Sequence, residues 1–364
     1  MKTMMKRMTP VAAALCLILL VLFVPRQCSA ASFTKSAPKG VMATAVNTRI
    51  AVSWEKVSGA KGYIVYEKAG NGKLTRVAKV TSCKVIRKNM TRGVTYGYAV
   101  RAWTKKGNSY LKTKKSAVRY TTVASAGVST VKNFLRTALA PMGSTMYVWG
   151  GGWNKADNGA GTPARTVGTS PRWRAFAATK TKYYNYNNYR YQINSGLDCS
   201  GYVGWLMYNT LHTVNGSKGF VKGADKQGKW FADLGYGSWT KARKVKKHQA
   251  GDIMSGPEHI WISLGECKDG STVVLHSSPA GVKLSGTYSR AGVKNSQAAK
   301  LARKYMKKYY PSWYSRFPST TLTYGSSYNR DYGRFRWSSK KLADPEKYRS
   351  MSADKVLADL FGER

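Results

Sequence analysis

From about Gly40 to Val123 the hydrophobic pattern repeats every two residues in short runs, which restricts this stretch to antiparallel β-structure. Ile50-Ala-Val-Ser-Trp54, Gly62-Tyr-Ile-Val-Tyr66 and Tyr96-Gly-Tyr-Ala-Val-Arg-Ala102 alternate apolar and small or polar residues. Successive side chains of a strand point to opposite faces, so each run can bury only one face. Ser58-Gly59, Gly70-Asn-Gly72, Arg92-Gly93 and Lys106-Gly-Asn108 supply turns between them. Short strands at this spacing predict an all-β immunoglobulin-like sandwich over residues 37–124.

The pattern then changes. Val128, Val131, Phe134, Leu135, Ala138 and Leu139 recur at helical spacing, and Pro141 and Gly143 close the helix. Met146-Tyr-Val-Trp-Gly-Gly-Gly152 predicts a short strand entering a glycine loop. Residues 153–195 are polar and rich in Tyr and Asn, without clear periodicity. A stretch of that length is expected to carry function or partial structure, either a stacking surface for sugar rings or a packed decoration. Val203, Leu206, Met207, Thr210 and Leu211 form one face of a second helix beginning near Asp198. Gly251–Met254, Ile260–Gly265 and Thr272–His276 predict three successive strands. The tail gives a basic helix over 298–309, a last strand at 334–337 and a closing helix carrying Val356, Leu357, Leu360 and Phe361. The chain is therefore multidomain, with the sandwich followed by an α+β domain built on an antiparallel sheet. That second domain spans 127–290 with the insertion at 153–195, and 291–364 form a C-terminal extension packed on it.

The ends and the charge limit where such a chain works. Lys2, Lys6 and Arg7, an apolar run from Val11 to Val24, and Ser29-Ala30-Ala31 form a secretory signal over residues 1–30. The apolar run is shorter than the roughly 20 residues a bilayer crossing needs, so cleavage is favoured over a retained anchor. The chain has 61 Lys and Arg against 16 Asp and Glu, a net charge of +45. Only four of the basic residues fall in the signal: Lys2, Lys6, Arg7 and Arg26. Such a field draws the protein to a polyanion. For a secreted chain the expected partners are anionic cell-wall polymers, not nucleic acid, and a monomer is expected.

Cys16 and Cys28 leave with the signal, and Cys83, Cys199 and Cys267 remain. An odd count in an oxidising space implies at least one thiol kept free. Cys83, within the β-pattern, suits a small buried apolar position. Cys199 in Leu197-Asp198-Cys199-Ser200-Gly201 stands at the start of a helix, where the dipole and unpaired amides favour the thiolate and can hold an oxyanion. A nucleophile needs a base. His212 lies at the far end of the same helix, and His248 follows Lys241-Ala-Arg-Lys-Val-Lys-Lys247, where solvent exposure is expected. His259 precedes one alternating strand and His276 ends the next, so a pairing of the two brings both imidazoles to one sheet edge. His259 then serves as base and His276 orients it. Neither His-x-x-x-His nor Cys-x-x-Cys spacing occurs, so no metal and no cofactor is expected.

Two resemblances sharpen these readings. Trp54, Gly62-Tyr63 with Tyr66, and Tyr96-x-Tyr98-x-Val100-x-Ala102 resemble a fibronectin type III domain, with Tyr96 at its corner-tyrosine position. Tyr147-Val-Trp-Gly-Gly-Gly152, Asp198-Cys-Ser-Gly201, Gly251-Asp252 with His259-x-Trp-Ile-x-Leu-Gly265, and His276 resemble the NlpC-type cell-wall cysteine peptidases. The second resemblance implies a papain-like α+β core, and cleavage of peptidoglycan stem peptides between γ-D-glutamate and a diamino acid. It implies Cys199 as nucleophile, His259 as base and His276 as third polar residue. Tyr147, Asp198 and Ser200 match pocket positions, and Trp261 stands where a small residue is usual, narrowing that pocket. The long 153–195 insertion and long tail depart from the family pattern. Acyl transfer or amidase action on another wall amide, or wall binding without catalysis, are the competing readings.

Overall fold

The computed structural model describes residues 32–123, 128–211, 218–318 and 327–363. The signal segment and His212 lie outside the described residues.

Eight strands form the N-terminal unit: β1 (Met42–Val46), β2 (Arg49–Ser53), β3 (Gly62–Ala69), β4 (Thr75–Val80), β5 (Lys84–Arg87), β6 (Thr95–Lys106), β7 (Ser109–Lys112) and β8 (Arg119–Thr122). They make two antiparallel sheets, β1-β2-β5 and β4-β3-β6-β7, with β8 also paired to β6. The period-two pattern does the sorting. Ile50 and Val52 from one sheet meet Tyr63, Val65, Tyr98, Val100 and Ala102 from the other in a single core, with Trp54 edge-on to Tyr63 at 5.3 Å. The buried tyrosines keep their hydroxyls paired, as burial demands. Tyr63 accepts the Val57 amide at 3.0 Å, Tyr98 donates to Glu67 at 2.8 Å, and Tyr96 accepts the Thr91 amide at 3.0 Å. Cys83 is half-buried, its sulfur 3.6 Å from the Tyr63 hydroxyl.

The remainder of the chain builds a second core. In order come β9 (Ser129–Thr130), α1 (Val131–Leu139), α2 (Pro171–Ala178), α3 (Cys199–Leu211), α4 (Ala224–Asp233), β10 (Gly237–Thr240), β11 (Ile253–Ser255), β12 (Ile260–Glu266), β13 (Thr272–Ser278) and β14 (Gly281–Gly286). They are followed by α5 (Gln297–Tyr309), α6 (Pro311–Arg316), α7 (Ser327–Arg330), β15 (Gly333–Trp337), β16 (Leu342–Ala343) and α8 (Ala353–Phe361). Six strands form an antiparallel sheet in the order β10-β15-β11-β12-β13-β14. Alternation divides its residues. Ile253, Ile260, Ile262, Val273, Leu275 and Phe335 join the main core with α1 and α3. Met254, Trp261 and Val274 join a small second cluster with Tyr332.

Two features differ from the sequence reading, the extent of α3 burial and the place of β15, while the insertion shows the partial structure and packing that were one of its alternatives. Helix α3 is buried along most of its length, Cys199 through Met207, because the sheet, α1 and the insertion pack around it; a one-faced apolar stripe understates it. The insertion is partly ordered and packed: α2 sends Trp173 against Trp205 of α3 at 6.1 Å, and the Asn209 side chain accepts the Gly168 amide. The segment after 290 is more than an appendage, since β15 lies between β10 and β11 inside the sheet.

The two units touch. Lys84 donates to the Val167 carbonyl, Arg119 to the Phe361 carbonyl at 3.3 Å, and the Asn133 side chain to the Thr122 carbonyl.

Removing the Tyr96 hydroxyl leaves the Thr91 amide without its acceptor. Tyr96→Phe is expected to destabilise the protein by about 1–2 kcal/mol, read as a lower urea midpoint. An unchanged midpoint would show that this corner bond contributes nothing.

Candidate active site

The start of α3 is fixed by one carboxylate. Asp198 precedes the helix and caps it: its Oδ1 accepts the Gly201 amide at 2.6 Å and the Ser200 hydroxyl at 2.8 Å. Its Oδ2 accepts the Gly150 amide at 3.1 Å, and its own amide donates to the Gly151 carbonyl at 2.9 Å. The Trp153 indole donates to the Ser200 hydroxyl at 3.0 Å. The glycine loop is thereby stitched to the helix start. This demands closeness: a Cβ on Gly201 would stand 2.0 Å from the Gly151 oxygen. Burial pushes the Asp198 carboxyl up to about 7 even though three donors hold its charge.

Cys199 is 7% exposed. The amides of Ile260, Ser200 and Cys199 itself face its sulfur and favour the thiolate. Burial outweighs them and, with the neighbouring Asp198 charge, pushes the thiol up to about 12. Burial is the larger of the two influences and favours the thiol, against the pull of the helix-start amides towards the thiolate.

Ile260, whose amide reaches the sulfur, directly follows His259. His259 Nε2 lies 2.8 Å from His276 Nδ1, and His276 Nε2 lies 2.9 Å from Ser285 Oγ on β14. In the tautomers with His259 Nε2 and His276 Nε2 protonated, each donates onward and His259 Nδ1 carries the lone pair a base needs; the reverse direction, from the Ser285 hydroxyl, fits the same distances. Lys283 stands directly across from His276 in the β13–β14 ladder and is 3% exposed. Its ammonium donates to the carbonyls of Ser278, at 3.1 Å, and Pro279. Burial, then the Lys283 charge, lowers His259 to about 3; burial, His259 and Lys283 hold His276 well below the usual imidazole range. The same burial brings Lys283 down to about 7.

Tyr147 is buried, edge-on to Tyr186 at 5.3 Å, and its hydroxyl is held protonated by burial and then by Cys199 and Asp198. Chemically the group is a buried thiol faced by helix-start amides and by the Ile260 amide, with a neutral, hydrogen-bonded imidazole pair that begins one residue before Ile260. That combination suits nucleophilic attack on an acyl carbon with His259 taking the thiol proton.

Cys199, Asp198, Ser200 and Tyr147 are thus gathered around one helix start, and His259 and His276 form one hydrogen-bonded pair. Trp261 departs from the expectation. It is fully buried, stacked on Tyr328 at 5.8 Å and beside His248 at 5.5 Å, so it offers a substrate no surface. Its bulk serves the small cluster behind the strand. His248 is buried as well, beside Trp261, with Nδ1 2.7 Å from the Thr272 hydroxyl and its amide on Glu266, while the lysines and arginine of the basic run ahead of it stay exposed.

The sequence reading missed Ser285, Lys283, Tyr328 and Tyr332. The first two were visible as alternate polar residues in Gly281-Val-Lys-Leu-Ser-Gly286, an otherwise apolar strand. Tyr328 stands 6.0 Å from His259 and, like Tyr332, senses the Cys199 sulfur. No pattern in the sequence signals those two. Among the described residues no group of three or more His, Cys, Asp or Glu could hold a metal ion.

No family model matches this sequence, and no curated protein does. Solved structures similar to it are fibronectin type III domains. FN3tt mut is 16% identical and covers 24% of this chain and 96% of its own, with a TM-score of 0.22. The FN5 domain of Drosophila Lar is 22% identical over 25% of this chain and 98% of its own, TM-score 0.21. An Fn3-like protein from Clostridium thermocellum is 26% identical over 25% of this chain and 92% of its own, TM-score 0.21. Each spans about a quarter of the chain; the site above rests on its own geometry.

Two outcomes test this geometry. Gly201→Ala forces the glycine loop off the helix start and is expected to destabilise by about 3 kcal/mol or more, seen in urea unfolding; a wild-type midpoint would contradict the close approach. Burial also holds His248 at about 4. It is neutral in the native state and takes a proton on unfolding below about pH 6.5, so its share of stability is present above that pH and is lost as pH falls towards 4. His248→Gln removes that proton, and the fall in stability between pH 6.5 and 4.5 should be shallower by up to about 1.4 kcal/mol per pH unit. Parallel profiles for the two proteins would refute it.

Proposed function

We propose that this protein is a secreted, cell-wall-associated cysteine peptidase with a papain-like NlpC-type second domain. It hydrolyses peptidoglycan stem peptides at the γ-D-glutamyl–diamino acid bond. The observation that carries this reading is the hydrogen-bonded row of Ser285, His276 and His259, with the amide of Ile260, the residue after His259, on the sulfur of Cys199 at a helix start. The motif order quoted above supplies the substrate class.

In this mechanism the Cys199 sulfur attacks the γ-glutamyl carbonyl as His259 Nδ1 takes its proton. His259 is neutral in the resting site, the form a general base needs. His276 and Ser285 hold its ring and tautomer. The amides of Cys199 and Ser200 receive the oxyanion. Collapse breaks the C–N bond, and His259 returns the proton to the departing amine. Water, deprotonated by His259, then cleaves the thioester and restores the thiol. Tyr147, Asp198 and Ser200 line the pocket. The excess of Lys and Arg keeps the enzyme, a monomer, on anionic wall polymers.

Purified peptidoglycan incubated with the wild-type protein should yield glycan-linked dipeptides and free peptides beginning at the diamino acid, identified by mass spectrometry. Cys199→Ala should yield neither, and His276→Ala should slow release by about 10²–10⁴-fold. Equal fragments from Cys199→Ala would sink the assignment. Rejoined peptides would point to acyl transfer, and cuts at another amide to an amidase.

A further inference from the structure

The insertion ends in a backbone feature that the chemistry at Cys199 does not use. Tyr191 sits at φ 61°, in the left-handed region, and its side chain is 56% exposed. A bulky residue in that region is strained by about 1–3 kcal/mol, and such strain collects where a side chain must be held in place. Two contacts hold it. Its amide donates to the Trp149 carbonyl at 2.7 Å, and its ring lies on Gly150, where a Cβ would come within 2.8 Å of Tyr191 Cδ1. Trp149 itself is 41% exposed, with the Arg190 guanidinium 4.8 Å from its ring. Two exposed aromatic rings are therefore pinned to the same glycine loop that Asp198 ties to Cys199.

Tyr191 also walls a groove of about 410 Å³ with Asn154, Lys155, Gln192, Ile193, Asn194 and Ser195. Its volume falls in the range usual for small-ligand sites, roughly 300–1,000 Å³. Gln192 and Asn194 turn their amides to solvent there, each offering both donors and an acceptor. No carboxylate lines it. The exposed Tyr191 ring beside amides matches a sugar ring with one apolar CH face and a polar rim of hydroxyl and acetamido groups.

We propose that this groove binds a strand of N-acetylated amino sugars, so that the glycan is held beside the loop that carries Cys199. The groove runs up to Ser195, four residues before the nucleophile. This inference rests on the hydrolase reading for its choice of polymer. A peptide attached to the bound glycan would then reach the thiol without a separate encounter, raising its effective concentration there.

The full chain carrying Cys199→Ser, titrated with a β-1,4-linked tetramer of N-acetylglucosamine, tests it by calorimetry and tryptophan fluorescence. Saturable binding is expected, with a glucose tetramer at least tenfold weaker. Tyr191→Gly removes the ring while suiting the positive φ, and should weaken binding at least tenfold. The exposed pair Gln192→Ala and Asn194→Ala, which cannot unsettle the core, should weaken it several-fold. No saturable binding, or equal affinity of all variants, would overturn the proposal; so would equal affinity for the glucose tetramer. Tetramer binding without wall cleavage by the unsubstituted chain leaves the groove standing and removes the hydrolase reading. Cleavage of free stem peptides without tetramer binding does the reverse.

Discussion

The arrangement of the second unit depends on the buried carboxylate of Asp198. It closes the start of α3, holds the Gly150 amide, and orients the Ser200 hydroxyl that receives the Trp153 indole. A buried carboxylate without donors would be expensive, and here the donors come from two separated segments. Satisfying it therefore fixes the glycine loop, the helix and the head of the insertion relative to one another. The same carboxylate lies beside Cys199 and, after burial, is the next influence that favours the thiol form there.

A neutral interior inside a strongly basic chain is a related consequence. Net charge of +45 is carried by side chains that mostly face water. Where cations and imidazoles are buried, they are pushed towards their uncharged forms: His248 to about 4, His259 to about 3 and Lys283 to about 7. The exterior field and the chemistry of the site are thus separable, and a polyanion attracted by the first need not disturb the second.

Much of this was legible in the sequence, for identifiable reasons. The sandwich strands were visible because one buried face imposes strict alternation, as in Tyr96, Tyr98, Val100 and Ala102. His259 and His276 were visible because each abuts an apolar run. Local patterns gave no hint of the inward turn of His248, the burial of Trp261 or the approach of Tyr328. All three arise from packing between segments distant in the chain, and the strand at 334–337 looked peripheral for the same reason. For Cys199 the pull of the helix start was read from position alone, and the opposing effects of burial and of the carboxylate one residue away were not weighed against it.

The insertion of β15 between β10 and β11 carries a consequence for how the molecule is made. Cys199, His259 and His276 are synthesised well before Gly333–Trp337. Until that strand arrives, β10 and β11 lack the neighbour that joins them, and each presents an unpaired edge. The sheet that backs the thiol can close only after residues 333–337 have been made, so its completion is a late event relative to the synthesis of Cys199, His259 and His276.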